Sequence, residues 1–314
     1  MDPLRVIAHE QGFFTRRQAA SAGYDDRAVA RMVRSGVWTR FRRGYFCFSD
    51  VWGTLDAVGR HWVRARAVVD SLGDAVVLSH VSGAVAHGIE VWGVPLDRVH
   101  VTRLDGGAGR VEGDVVHHEG ICLEADVVEA GAGVRATSSV RSVLETASRA
   151  STEAAFCLLE MGLHHGRFTQ GELCRMHHRL GVWPGMQHLH VPVRMATGRS
   201  ESIGEARGYW LFRTAHVPAP VQQLEVRDER GVLLGTCDWG WPDLLTLGEF
   251  DGRLKYGRIL KPGQDPGEVV FAEKQREDAL REATGFRMLR LVWSDLDHPA
   301  TTVRRLERLM RRPS

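Results

Sequence analysis

The amino-acid sequence predicts an α/β protein of the α+β kind, organised as three domains at residues 1–50, 51–195 and 196–314. In the first domain, capping signals mark three short helices, and a basic segment with strand-like alternation follows them. The second domain mixes helical and strand patterns. The third follows the order helix, three strands, helix, strand (αβββαβ), with a basic helix at its end. These elements are expected, in that order, at 202–213, 221–227, 232–239, 244–250, 271–283 and 286–293.

Three helices are predicted in the N-terminal domain. Pro3 to Glu10 makes the first helix, and Thr15 caps the second, with Gln18 at the capping-box position. Asp25 caps the third helix, which ends at Gly36 because glycine is the common residue at a helix C-terminus.

A basic hairpin follows these helices, since residues 37–48 alternate like a strand and turn at Arg43-Gly44. Three helices and a hairpin form the plan of a winged helix, whose third helix enters the major groove while the hairpin contacts phosphates. The predicted DNA-binding residues are the arginines of these two elements: Arg27, Arg31, Arg34, Arg40, Arg42 and Arg43. The alternative is a protein-interaction domain whose arginines are merely solvated.

The middle domain is predicted to be mixed α/β. Helices are expected at 55–72, 79–87, 139–149, 152–165 and 169–180, and strands at 99–102 and 115–118. Histidines occur in adjacent pairs, at 117–118, 164–165 and 177–178. Adjacent side chains point to different faces of a helix or strand, and the pairs lack the usual ligand spacing, so we expect structural or surface groups there.

The charge and the cysteine content limit the classes of function and the compartment that the sequence allows. The net charge of +2 is too small to predict nucleic-acid binding by itself, but residues 1–50 contain nine arginines against five acidic residues. Five widely spaced cysteines without a C-x-x-C pair indicate a reducing compartment. With no signal peptide and no apolar run approaching 18 residues, we expect a cytoplasmic protein without a membrane partner.

The chain contains thirty-eight arginines but only three lysines. All three lysines lie in the C-terminal domain, at Lys255, Lys261 and Lys274. They follow Glu249-Phe-Asp251, where an acidic pair ends a hydrophobic run. Carboxylates at a strand end with a nearby ammonium suggest a site for a metal ion and a phosphate. The alternative is a chance cluster on a solvated face.

Two carboxylates are the predicted metal ligands. Asp238 lies near the end of the second predicted strand of this domain and Glu249 near the end of the third, so antiparallel pairing would bring them within a few ångströms. Mg²⁺ or Mn²⁺ held there would polarise a phosphodiester and activate a water molecule. Glu205, on the preceding helix, is the third member of this acidic cluster.

The αβββαβ order with these acidic motifs resembles the PD-(D/E)XK nuclease superfamily, and more closely its branch related to very short patch repair endonucleases. The matching segments are Ser202-Ile-Gly-Glu205-Ala-Arg207, Cys237-Asp238-Trp, Glu249-Phe-Asp251-Gly and Glu273-Lys-Gln-Arg-Glu-Asp278. The resemblance implies a metal-dependent endodeoxyribonuclease with these candidate catalytic residues: Glu205, Asp238, Glu249, Asp251, Lys255 and Lys274. Asp251 occupies the usual lysine position, so Lys255 or Lys274 would have to replace that lysine.

The N-terminal region is similar to the winged helix of AbiEi-type antitoxins of type IV toxin–antitoxin systems. The similarity rests on Gly12-Phe-Phe-Thr-Arg-Arg-Gln-Ala-Ala, on Gly36-Val-Trp-Thr-Arg-Phe-Arg-Arg-Gly-Tyr45, and further along on Leu78-Ser-His-Val-Ser-Gly-Ala-Val-Ala-His-Gly88. It implies an autorepressor that binds double-stranded DNA and opposes a nucleotidyltransferase toxin. It also adds Arg16 and Arg17 to the candidate DNA-binding residues.

Three functions therefore stay open. The first is a DNA-binding, antitoxin-like transcriptional regulator, and the second is a divalent-metal-dependent endonuclease targeted by the winged helix. The third is a protein-interaction module whose nuclease fold is inactive.

Overall fold

The computed structural model describes residues 2–252, 280, 282 and 284–311. The chain divides into two compact units. Unit 1 comprises Met1–Leu158 and Arg167–His190, and unit 2 comprises Leu159–Gly166 and Val191–Ser314. The division into three domains stays a prediction, since unit 1 contains both the N-terminal domain and most of the predicted middle domain.

Unit 1 begins with three helices and a small antiparallel sheet. The elements are α1 (Pro3–Gln11), β1 (Phe14–Thr15), α2 (Arg16–Ser21), α3 (Asp26–Arg34), β2 (Trp38–Arg42) and β3 (Tyr45–Phe48), and the strand order is β1-β3-β2. The capping box of α2 is confirmed: the Gln18 amide donates to Thr15 Oγ1, and Gln18 Oε1 accepts from the Thr15 amide at 2.7 Å. Asp25 caps α3 as predicted.

Buried aromatic rings hold this N-terminal region together. Phe14, Trp38, Phe46 and Phe48 are nearly inaccessible to solvent, and the Phe14 and Trp38 ring centroids lie 4.8 Å apart. Full burial of a large apolar side chain contributes about 1.5–3 kcal/mol, so these four residues dominate the stability of a small core. Val29 places the inner face of α3 against the same cluster.

The rest of unit 1 is a six-stranded mixed sheet with helices. Its strands are β4 (Val76–Leu78), β5 (Val99–Arg103), β6 (Arg110–Glu112), β7 (Val115–His118), β8 (Val127–Glu129) and β9 (Arg135–Thr137), in the order β6-β7-β5-β4-β9-β8. The helices are α4 (Ser49–Thr54), α5 (Ala57–Leu72), α6 (His80–Ala86), α7 (Ser139–Ala147), α8 (Thr152–His164) and α9 (Gln170–Arg179). Residues 159–164 of α8 belong to unit 2. Strands β5 and β7 run parallel, as do β4 and β9.

The hairpin β2–β3 is tied to this larger part of unit 1. The Tyr45 hydroxyl donates to Asp70 of α5 at 2.8 Å, and Phe13 and Tyr45 pack with Val63 and Ala67 of the same helix. Helix α5 therefore holds the hairpin in place. Helix α3 is not part of the cluster formed by Phe13, Tyr45, Val63 and Ala67.

Helices α6 and α7 approach closely at a glycine. A Cβ atom on Gly83 would lie 2.2 Å from Ser142 Oγ, so a larger residue would force the two helices apart. The Ser142 hydroxyl hydrogen-bonds the Thr137 side chain at 2.7 Å, which satisfies its polar atom inside this contact.

A buried ion network lies beside α7. The Arg141 guanidinium donates to Asp126 and to Glu145, each at 2.7 Å, and all three side chains are at most 5% exposed. Arg179 also bonds Asp126. The network joins the end of α9 to α7 and to the segment before β8. Loss of one of its charges would therefore weaken the packing of these three elements.

Unit 2 contains a four-stranded sheet. Its elements are α10 (His190–Met195, whose first residue belongs to unit 1), α11 (Ile203–Thr214), β10 (Val221–Arg227), β11 (Leu233–Trp241), β12 (Thr246–Phe250), β13 (Arg287–Leu291), α12 (Trp293–Leu296) and α13 (Pro299–Met310). The strand order is β10-β11-β12-β13, antiparallel except for the parallel pair β12–β13. The predicted helix at 271–283 falls almost entirely outside the described residues.

The core of unit 2 lies between its sheet and its helices. Phe212 of α11 packs edge-on against Trp239 and Trp241 of β11, with ring centroids 5.1 Å apart in both pairs. Leu291 of β13 and Leu306 of α13 complete the cluster. Within the described part of the chain, no helix combines the length and apolarity needed to cross a membrane.

Candidate functional site

Helix α3 presents a basic face to solvent. Arg27, Arg31 and Arg34 are exposed and spaced by four and three residues, which places them on one side of the helix. Val29 and Met32 face the core instead. This division matches the amphipathic pattern of the sequence and leaves three guanidinium groups directed away from the protein.

Among the other predicted DNA-binding arginines, three are both exposed and without a partner among the described residues: Arg17, Arg40 and Arg43. Together with Arg27, Arg31 and Arg34 they make up what we call the free arginine set. Within the described ranges, none of these six side chains forms a hydrogen bond or ion pair with another residue. Guanidinium groups without protein partners keep their donors available for phosphate or base acceptors.

Two predicted DNA-binding residues have protein partners instead. Arg16 forms an exposed ion pair with Asp26 at 2.5 Å. Arg42 pairs with Asp114, and its side chain is only 21% exposed. Arg42 therefore attaches the hairpin to the larger part of unit 1, a role that the hairpin sequence does not reveal because Asp114 lies 72 residues further along the chain.

The predicted metal ligands occupy neighbouring strands. Trp239 of β11 pairs with Gly248 of β12, so Asp238 and Glu249 come next along the two strands. Asp238 Oδ2 accepts the Phe250 amide at 2.6 Å. Burial, with a further contribution from the nearby charges of Glu205 and Glu249, raises the pKa of Asp238 to about 7.

Glu205 is held by groups close to it in the fold. Its carboxylate accepts the Glu201 amide and the Ser202 hydroxyl, each at 2.8 Å, and the Gln223 side-chain amide at 3.0 Å. Burial raises its pKa despite these hydrogen bonds. Glu205 is therefore positioned at the N-terminus of α11, where its oxygens are already largely satisfied.

Glu249 contacts groups other than the two predicted partners. Its Oε2 lies 3.5 Å from Arg290 of β13, and its Oε1 lies 4.0 Å from the Cys237 sulfur. Over the described ranges, Glu205, Asp238 and Glu249 do not form a group whose ligand atoms all lie within 4.8 Å of one another. The three carboxylates influence one another electrostatically without being gathered as a ligand set.

Of the remaining predicted catalytic residues, the structure describes Asp251. Asp251 directly follows β12, and its amide donates to Leu291 of β13 at 2.7 Å. Lys255 and Lys274 lie outside the described residues, as does Lys261.

A histidine cluster in unit 1 does not follow from the sequence pattern. His80, His100 and His118 each offer a ring nitrogen, and these three atoms all lie within 4.8 Å of one another. Among the residues that the structure describes, this is the one such group of three or more His, Cys, Asp or Glu side chains. His118 belongs to a pair that we expected to be structural, and its neighbour His117 is buried 3.9 Å from Glu112.

Sequence spacing could not have revealed this cluster. Its members come from three elements: His80 begins α6, His100 lies in β5 and His118 ends β7. Thr102 pairs with His118 across the parallel strands, so His100 and His118 share a sheet face. Only the pairing of β5 with β7 brings them together.

Comparison with known proteins informs the N-terminal region alone. A search of curated proteins finds no match to the chain. Residues 1–49 of the 314 match the model of a protein family described as "Transcriptional regulator, AbiEi antitoxin". The N-terminal region, which carries α3 and the hairpin, is thus similar to that family of transcriptional regulators.

Proposed function

We propose that this protein is an antitoxin-like transcriptional regulator that binds double-stranded DNA through a winged helix at its N-terminus. The observation that carries the proposal is the basic face of α3, whose Arg27, Arg31 and Arg34 are exposed and bonded to no described residue. The similarity of residues 1–49 to AbiEi-type regulators supports the same function.

The arrangement of the N-terminal elements supports this mode of binding. The order α1-β1-α2-α3-β2-β3 places a two-residue strand beside the hairpin, and β1 pairs with β3. A recognition helix in the major groove uses arginine to contact guanine or phosphate, because the planar guanidinium fits both geometries. Arg40 and Arg43 would contact the flanking phosphates from the hairpin.

The proposed partner of the antitoxin activity is a nucleotidyltransferase toxin of a type IV system. This part of the proposal rests on the similarity of residues 1–49 to AbiEi-type regulators. Co-purification of the protein with the product of an adjacent nucleotidyltransferase gene, and rescue of growth when both are expressed, would support it.

DNA binding itself is tested by selection from a pool of random duplexes. Full-length protein immobilised on beads should enrich a defined sequence over successive rounds, and the enriched duplex should bind more tightly than a scrambled one. Enrichment of no sequence, with equal and weak retention of all duplexes, would contradict sequence-specific binding.

A second proposed function is a metal-dependent endonuclease in unit 2. It is favoured by the pairing of β11 with β12, which places Asp238 and Glu249 next to each other on adjacent strands, and burial together with the charges of Glu205 and Glu249 raises the pKa of Asp238. Mg²⁺ or Mn²⁺ would neutralise that repulsion, with Asp238 and Glu249 as protein ligands and water completing the shell. To bind the ion, Glu249 would have to leave Arg290, whose guanidinium lies 3.5 Å away. Glu205 already accepts a hydrogen bond from the Glu201 amide, so it is not counted as a ligand.

Thermal unfolding with and without Mn²⁺ tests this second function. A site formed by Asp238 and Glu249 predicts that Mn²⁺ raises the melting temperature of the wild type but not of Glu249→Ala, because binding to the folded state stabilises it by mass action. Incubation with plasmid DNA then tests cleavage. An equal effect of Mn²⁺ on both proteins would contradict the metal site, and it would not bear on the proposed DNA binding by the N-terminal region.

Replacing Asp238 by asparagine should stabilise the protein at alkaline pH. The folded-state pKa of about 7 exceeds the ordinary 3.8. Between these two values, the Asp238 carboxyl is protonated in the folded state and ionised in the unfolded state. Stability from this group is present below pH 4 and is lost as pH rises through 7. We expect Asp238→Asn to gain about 1–3 kcal/mol at pH 8 and almost nothing at pH 4, measured by urea unfolding. An equal gain at both pH values would show that ionisation is not the cause.

A further inference from the structure

We propose that His80, His100 and His118 of unit 1 form a binding site for a divalent transition-metal ion, with zinc as the reference ion. This site uses none of the arginines of the proposed DNA-binding face and none of the carboxylates predicted to bind metal in unit 2. Imidazole nitrogens suit zinc, nickel and copper, and three of them with an open fourth position form a known type of zinc site.

The distances between the rings are close to those that a metal ion requires. A hydrogen bond joins His100 Nδ1 and His118 Nε2, whose nitrogens lie 2.9 Å apart, and an ion bound by both nitrogens replaces the proton between them. Zinc–nitrogen bonds of about 2.0–2.1 Å in a tetrahedron separate two ligand nitrogens by about 3.4 Å, so these two atoms need to part by roughly 0.5 Å. The third nitrogen, from His80, is already within 4.8 Å of both.

One ring must reorient when the ion binds. The His80 ring stacks on His118, with centroids 3.6 Å apart and the planes 14° from parallel. Ligand lone pairs lie in the ring planes, so His80 has to turn out of this stack to point at a shared ion. His80 also has a left-handed backbone, with φ of 51°, a conformation that non-glycine residues adopt mostly where the surrounding fold imposes it.

A carboxylate lies behind His80 in the position typical of metal-binding histidines. The Ser79 hydroxyl is the hydrogen-bond partner of His80 Nδ1, at 3.1 Å. Glu145 Oε2 lies 3.6 Å from the same nitrogen and accepts the His80 backbone amide at 3.2 Å. A histidine ligand commonly donates its second ring N–H to such a carboxylate, which fixes the tautomer and increases the basicity of the coordinating nitrogen. Because the His80 ring must turn to reach the ion, we infer that this turn brings Nδ1–H from the Ser79 hydroxyl onto Glu145 and leaves Nε2 to bind the ion.

The cluster has a route to solvent. His80 and His100 line a cavity of about 500 Å³ in unit 1, which would admit the ion and leave room for a water ligand at the fourth position. Arg149 lines the same cavity and is exposed. Its positive charge opposes the binding of a dication, so the three imidazoles and Glu145 must outweigh this repulsion.

Equilibrium dialysis of the full-length protein tests the site. Protein freed of metal by a chelator, and then of the chelator, is dialysed against zinc sulfate, and bound zinc is measured by elemental analysis. We expect about one zinc ion per chain, with Co²⁺ giving the visible absorption of a tetrahedral nitrogen site. Glu145→Gln should weaken binding about 10- to 100-fold, and His118→Gln should weaken it more.

Two further variants distinguish coordination by this cluster from zinc binding elsewhere on the chain and from misfolding. His188→Asn removes an exposed histidine of unit 1 outside the cluster and should leave zinc binding unchanged. Arg149→Ala should tighten binding by about two- to tenfold, because it removes a nearby positive charge; misfolding would not produce such a gain. Well under one zinc per chain in the wild type, or full binding in His118→Gln, would overturn the proposal.

Discussion

Replacement of Arg141 by alanine is expected to destabilise the folded protein by about 3–5 kcal/mol, far more than the loss of an exposed ion pair would. The Arg141 side chain is 2% exposed and neutralises Asp126 and Glu145, which are themselves buried. Without the guanidinium, two carboxylates remain in a poorly solvated environment. Asp126 keeps Arg179 as a partner, but Glu145 loses its ion pair with a guanidinium and must then either stay charged or take up a proton, and both alternatives cost free energy.

Urea unfolding monitored by circular dichroism measures this loss. Arg110→Ala is the matched control, because its ion pair with Glu112 is exposed on both sides, at 49% and 68%. An exposed pair of this kind contributes at most about 1 kcal/mol, so the control should unfold close to the wild type. Similar unfolding midpoints for Arg141→Ala and Arg110→Ala would show that the buried network contributes no more to the free energy of unfolding than an exposed ion pair does.

Removal of the arginines of α3 should have the largest effect on DNA binding. We expect Arg31→Ala to weaken binding by about 1–3 kcal/mol, and the triple replacement of Arg27, Arg31 and Arg34 to reduce it to the level of non-specific retention. Each side chain is exposed and lacks a bond to the rest of the described protein, so its loss should not disturb the fold. Fluorescence anisotropy with the selected duplex measures the affinities.

Arg110→Ala serves as the control for this experiment too, since it removes one exposed positive charge from the β6 strand instead of from α3. Its affinity for the duplex should match that of the wild type. If the triple variant bound as tightly as this control, α3 would not be the recognition helix.

Local signals in the sequence predict many of the elements. Thr15, Gln18 and Asp25 mark helix starts because their side chains bond to amides only a few residues away, within reach of a short motif. The predicted strand at Val221–Arg227 has the observed bounds. Leu224 and Val226 alternate with polar residues, and the turn signal Asp228-Glu-Arg-Gly231 directly follows the strand.

Pairing across long stretches of chain accounts for what the sequence does not predict. Strands β4, β6, β8 and β9 have three residues each, too few for a visible alternation, and they exist because neighbouring strands complete their hydrogen bonds. The bond of Arg42 to Asp114 and the meeting of His80, His100 and His118 likewise depend on tertiary packing. For the acidic residues, the sequence correctly places Asp238 and Glu249 on adjacent strands, but the orientation of their side chains depends on neighbours such as Arg290.

The salt dependence of DNA binding tests the central claim most directly. The free arginine set offers six guanidinium groups, and each phosphate that one of them neutralises contributes about −0.9 to the slope of log affinity against log salt concentration. We predict a slope between about −3 and −5 for the wild type with the selected duplex, and a slope smaller by about 2–3 for the triple variant of Arg27, Arg31 and Arg34. A slope near zero in the wild type, or the same slope in both proteins, would contradict DNA binding through α3.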